Sequence, residues 1–163
     1  MSVQINPTAR VSKLADIEAS VRGTRIIIGP AAVIDSFVKI KPVGGMGDVV
    51  IGSGSVINSG CVLYSGNGIR IGENVLIAAN CTLAATNHAF ERADIQIKSQ
   101  GFKPSRGGIV IENDVWIGAN CVLLDGAKIG TGCVVAAGST VRGELEPLTV
   151  YGGFPLRILS RRR

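Results

Sequence analysis

An aliphatic residue returns every six places along most of this chain, and few architectures accept that period. From Ile51 the units read IGSGSV, INSGCV and LYSGNG; after a short slip they resume at Ile71 as IGENVL, IAANCT and LAATNH. They are lost between His88 and Gly108, then return at Ile111 as IENDVW, IGANCV, LLDGAK, IGTGCV, VAAGST and VRGELE. IGPAAV and IDSFVK, from Ile28, fit the same frame. One such unit is a short strand plus a corner. Its first residue points inward and fills the axis of a coil, and its fifth also points inward where space is tight. Glycine and asparagine at the corners tolerate the backbone angles of a sharp bend. Three units close a triangular turn, and successive turns stack as parallel strands about 4.8 Å apart. Each turn covers the backbone edges of the next, so the array is stable only as a stack. Aromatic residues are 4% of the chain, so aliphatic side chains must supply the core.

The cysteines keep this register. Cys61, Cys81, Cys121 and Cys133 each stand at the fifth place of a unit. Small apolar plugs inside the coil explain that placement, and no CxxC pair argues for a metal or a redox couple. The net charge is +5, with a basic end at Arg157, Arg161, Arg162 and Arg163. Basic residues are not interleaved with aromatics, so a nucleic-acid partner is not expected. No secretory signal or membrane-length apolar run is visible, and the expected location is the cytoplasm. A length of 163 residues suits one domain. Residues 1 to about 27 fit the hexad poorly and read as an irregular cap; about 146–163 read as a C-terminal tail.

The array breaks at TNHAFERADIQIKSQGFKPSRGGIVI. This stretch is polar, charged and interrupted by Pro104, so it should leave the coil as an extruded loop over about residues 88–108. His88, the one histidine of the chain, sits where the array gives way to the loop. A regular scaffold that breaks its own rule does so for function or insertion.

The hexads resemble those of the hexapeptide-repeat acyltransferases over roughly residues 28–160. That resemblance, and not the period, implies an all-β, left-handed parallel β-helix. The order TNHAF, loop, GIVIENDVWIGANCVLLDGAKIGTGCVVAAGSTV and VYGGFPLRIL resembles sugar O-acetyltransferases of the maltose, galactoside, nodulation and surface-polysaccharide types. The resemblance implies His88 as catalytic base and Asn58 and Asn87 as acceptor contacts. It implies Trp116, Ala119, Ala137, Arg142 and Arg157 along an acetyl-CoA groove; the last three arginines read either as a solvated tail or as charge-assisted contacts to the 3′-phosphate. Gly66 falls where the family carries an acidic acceptor contact. A homotrimer with sites between subunits and a saccharide acceptor are further implications.

The chemistry is consistent with that assignment. A hydroxyl attacking a thioester must lose a proton, and an imidazole accepts it efficiently near neutral pH. Backbone N–H groups can hold the oxyanion. Two other readings stay open: N-acetylation of an amino sugar or other amine, and a non-catalytic β-helix scaffold. A zinc hydratase on the same fold would need about three histidines, and the chain has one.

Overall fold

The computed structural model describes residues 2–163. Its strands are mostly two or three residues long, because each hexad spends the rest of its length turning a corner. They form three sheets around one axis. The first holds Val3–Ile5, Ile26–Ile28, Val49–Ile51, Ile69–Ile71, Ile109–Ile111, Lys128–Ile129 and Glu144–Leu145. The second holds Arg10–Val11, Val33–Ile34, Val56–Ile57, Leu76–Ile77, Trp116–Ile117, Val134–Val135 and Thr149–Gly152. The third holds Asp16–Ile17, Lys39–Lys41, Val62–Tyr64, Thr82–Ala84, Val122–Leu124 and Thr140–Val141. The chain visits the sheets in rotation, so each coil pairs in parallel with the coils before and after it. Arg157–Arg161 departs from this: it returns antiparallel on Thr149–Gly152 and extends the second sheet. The architecture is a left-handed parallel β-helix.

The register makes the core a set of stacked aliphatic side chains. Ile28, Ile51, Ile71, Ile111 and Ile129 stack in the first sheet. Ile34, Ile57, Ile77, Ile117 and Val135 stack in the second. Ile40, Leu63, Leu83, Leu123 and Val141 stack in the third. All are buried, and each such side chain stabilises the fold by about 1.5–3 kcal/mol relative to exposure. The four cysteines are buried as expected. Those of Cys61, Cys81 and Cys121 donate to the next coil's carbonyls at Ala78, Gly118 and Ala136, at 3.1, 3.1 and 3.2 Å.

Corner geometry follows one rule. The fourth residue of the unit has positive φ at Ala31, Phe37, Asn74, Asn80, Asp114 and Asn120, and at Gly54, Gly60, Gly132 and Gly138. Asparagine and glycine take this left-handed conformation at little cost, which explains their frequency there.

The N-terminal segment differs from the expected irregular cap. Val3–Ile5, Arg10–Val11 and Asp16–Ile17 form a complete first coil in register with the second. Its sequence departs from the hexad, and within this structure the second coil pairs with it on one side. Ile5 and Leu14 stay exposed in this coil, so an aliphatic at every inward place gains less. The expected tail contains the last strands of the second sheet rather than free chain. Among the described residues no helix is long and apolar enough to cross a membrane.

Candidate active site

The loop leaves at the corner between the third and first sheets, after Thr82–Ala84, and rejoins at Ile109–Ile111. It folds back on itself. His88 bridges Phe102 antiparallel, the Ala89 N–H donates to Gly101 O at 3.0 Å, and the Lys103 N–H donates to Asn87 O at 2.8 Å. A 3₁₀ turn, Ile97–Gln100, caps the far end. The Gln100 amide reaches back to the Arg92 and Ile95 carbonyls. Glu91 and Lys103 close the ladder as an ion pair at 2.5 Å, and Lys103 Nζ lies 4.0 Å from the Phe90 ring centroid. That ammonium, with the Phe90 and Glu91 N–H groups, holds the Glu91 carboxyl down to about 2.

Between this hairpin and the coils lies a cleft of about 690 Å³. His88 and Asn87 form one wall, Lys103 to Arg106 on the returning limb another, and Leu124, Asp125 and Arg142 the floor. The His88 ring is tilted against Phe102, with centroids 4.7 Å apart. No described residue makes a side-chain hydrogen bond to the imidazole, so its nitrogens are free for a substrate. Asp125 is the buried member of the lining. Its Oδ1 accepts from the Gly108 N–H at 2.8 Å, and its Oδ2 from the Arg106 N–H at 2.9 Å and Asn67 Nδ2 at 3.2 Å. Arg142 also lines a second hollow of about 430 Å³ with Thr140, Leu145, Phe154, Pro155 and Leu156. The two hollows share Arg142.

The structure therefore brings Asn87, His88 and Arg142 together and leaves the other expected residues elsewhere. Trp116 is not beside His88. Its strand alternates, so Ile117 takes the core and Trp116 the outer face of the second sheet, beside Leu76, Val134 and Arg162. Asn58 stands at the corner between the second and third sheets, where its Nδ2 donates to Ile77 O at 2.8 Å. Ala119 and Ala137 occupy that same corner two and three coils further on, joined through the Gly138 N–H and Ala119 O at 2.8 Å. Within one chain the width of the third sheet separates them from His88. Arg157 is exposed on the last strand, outside both hollows. Of the final arginines, Arg161 pairs with Glu146 at 2.7 Å. Arg162 pairs with Asp114 at 3.0 Å and also donates to Gly132 O. Sequence reasoning missed Asp125 and Arg106. Nothing in LLDGAK marks that aspartate as buried, because only the returning loop covers it.

Comparison with known proteins agrees with this architecture. A family model described as bacterial transferase hexapeptide (six repeats) matches residues 108–143, and one described as hexapeptide repeat of succinyl-transferase matches residues 48–85. A probable macrolide acetyltransferase from Lysinibacillus sphaericus is 44% identical over 36% of this chain and 33% of its own length. A 2,3,4,5-tetrahydropyridine-2,6-dicarboxylate N-acetyltransferase from Clostridium perfringens is 49% identical over 35% of this chain and 24% of its own. The chain thus matches a third or less of these curated relatives. Solved structures match far more of it. AntD, an N-acyltransferase from Bacillus cereus in complex with dTDP-4-amino-4,6-dideoxyglucose and coenzyme A, superposes with a TM-score of 0.82. It is 28% identical, over 98% of this chain and 84% of that one. A hexapeptide-repeat-containing acetyltransferase from Vibrio cholerae, complexed with acetyl coenzyme A, superposes at 0.71 with 34% identity, over 83% of this chain and 70% of that one. With the repeat, the coil register and that last likeness in agreement, the chain belongs to the hexapeptide-repeat acyltransferase family.

Proposed function

We propose that this chain is an acetyltransferase that moves an acetyl group from acetyl-CoA to a saccharide, with His88 as general base. The observation that carries the reading is His88 itself. It is the one imidazole of the chain, it lines a cleft wide enough for a sugar, and no described side chain occupies its nitrogens. The coenzyme follows from the family and from structural relatives solved with coenzyme A or acetyl-CoA. Transfer is direct. The acceptor O–H attacks the thioester carbon, a C–O bond forms, and the proton passes to His88. The oxyanion then collapses, the C–S bond breaks, and His88 returns the proton to the departing thiolate. A cysteine acyl-enzyme is unsupported, because all four thiols are buried.

A hydroxyl acceptor makes the strongest demand on a base, and His88 suits it. The amine of an amino sugar is a second reading, favoured by the likeness to AntD along 98% of the chain. Either way, Ala119 and Ala137 can join a groove at His88 only across copies. A corner of one subunit between the third and first sheets would face a neighbour's corner between the second and third. That supports assembly as a homotrimer with shared sites, and the hairpin would overhang the shared groove.

The test is thiol release from acetyl-CoA over hydroxyl and amino-sugar acceptors, for wild type and His88→Ala. The substitution should lower kcat by about 10²–10⁴-fold and leave the fold intact, since His88 is exposed. A product labile to mild base is an ester, and a stable one an amide. Undiminished turnover in the variant would remove His88 from the mechanism. A wild-type protein that neither binds nor consumes acetyl-CoA would leave the scaffold reading.

A further inference from the structure

We infer that Asp125 is the positioning residue for His88, acting through the returning limb of the hairpin. The inference rests on the reading of His88 as base. The limb from Phe102 to Gly108 is held at two ends. At its head, main-chain bonds tie Lys103 to Asn87 and Gly101 to Ala89. At its foot, the Asp125 carboxylate receives the N–H groups of Arg106 and Gly108. The Gly126 N–H adds a bond to Gly108 O at 2.6 Å. The third acceptance, from Asn67, links the coil on the far side of the loop's exit. One buried carboxylate thereby spans three successive passes of the chain at a single corner.

The limb it holds is the wall of the cleft. Phe102 leads the limb and lies against the His88 ring; Arg106, whose N–H is fixed by Asp125, lines the cleft opposite. Pro104 lacks an N–H and Ser105 only receives the Gly107 N–H, so nothing between Lys103 and Arg106 anchors the limb. Release at the foot therefore frees the hairpin, with His88 and Phe102 paired on its two limbs, to shift relative to Leu124 and Arg142 on the coils. Asp125 is suited to the task because a carboxylate accepts on both oxygens and donates on neither. An asparagine would accept from one N–H and set its own N–H₂ against the other. Two buried backbone donors near one another require such an acceptor or cost stability.

The histidine is unique, so its ring protons report without ambiguity by NMR. The experiment compares wild type, Asp125→Asn and Phe102→Leu, in ring-proton shifts, thermal unfolding and steady-state kinetics. Phe102→Leu shows where the His88 signals move when the neighbouring ring is lost. Asp125→Asn should displace them from their wild-type positions as the hairpin shifts on the coils, lower kcat by about 10²-fold, and leave the KM for acetyl-CoA near wild type. A purely structural role predicts otherwise: a lower unfolding temperature, with His88 signals and kcat of the folded fraction unchanged. That result overturns the inference. Should Asp125→Asn fail to fold, Asp125→Glu, which keeps the two acceptor oxygens, should fold and retain the wild-type ring shifts; displaced shifts there with a native unfolding temperature also overturn it. The NMR readout needs no turnover, so the latch can fail while His88→Ala still abolishes activity, or stand while His88→Ala does not.

Discussion

Replacing Ala31 by glycine should stabilise the chain. Ala31 holds the fourth place of IGPAAV at φ 54°, where an L-residue loses about 1–2 kcal/mol to crowding of its Cβ. Its methyl is exposed, so removing it forfeits little burial. Its N–H donates to Thr8 Oγ1 at 3.0 Å, and glycine keeps that bond. Against the relief stands the greater freedom of glycine in the unfolded chain, roughly 0.5–1 kcal/mol. The net gain is about 0.5–1 kcal/mol, a rise in Tm of about 1–4 °C for a chain of this size. Gly138→Ala is the mirror experiment. Gly138 has φ 72°, and a Cβ there would meet nothing within 4 Å. Backbone strain then acts alone, and the same arithmetic gives a loss of about 0.5–1 kcal/mol. Urea unfolding of both variants, with unchanged m, isolates the stability change. If Ala31→Gly lost stability, or Gly138→Ala gained it, the corner angle would not be a strain that glycine relieves. The account of the hexad's fourth place would then fail.

Two other outcomes follow from the geometry, beside those for His88 and Asp125. Burial pushes the Cys133 thiol up to about 11, and hydrogen bonding to Cys81 together with burial raises Cys121. All four thiols, Cys61 included, are buried inside the coil, so native protein should yield none to a disulfide-exchange reagent near neutral pH while denatured protein yields all four; rapid native reaction would contradict the core placement. The Glu91 carboxyl is depressed to about 2 by Lys103 and nearby N–H groups. Its support for the hairpin is full above its ordinary value of 4.5 and is lost as pH falls through about 2. The protection of amides at residues 87–103, taken relative to the intrinsic exchange rate at each pH, should hold down to about pH 4 and fall below it. Glu91→Gln should show the lowered protection already at neutral pH, a modest loss for so exposed a pair, and a wild-type midpoint near 4.5 would count against the pair.

The fold was legible because its core repeats the same demand. An aliphatic residue at the first place and a small one at the fifth recur through Ile51, Ile71, Ile111 and Ile129, and through the four cysteines. Each repeat is local, so a single sequence displays it many times. His88 stood out for the opposite reason, as the one imidazole at the point where the repeat stops, and the structure places it in the cleft. The first coil escaped notice because its inward places are less strictly apolar. Trp116, Asn58, Ala119, Ala137 and Arg157 were placed by resemblance, which carries positions along a chain but does not say which corner of the prism each occupies.

Sequence by itself determined the period, the inward places, the glycine and asparagine corners, and the loop as a departure from them. These depend on six-residue chemistry and steric limits that every unit meets alone. Only the tertiary structure decided that Asn87, His88 and Arg142 share one corner while Ala119 and Ala137 stack on another, since that depends on how many residues each coil spends before closing. It alone buried Asp125 under the returning limb and paired Arg161 and Arg162 with Glu146 and Asp114. Those contacts join residues separated by 15 to 48 places along the chain, and no local pattern records a distance that only closure of the coils brings to zero.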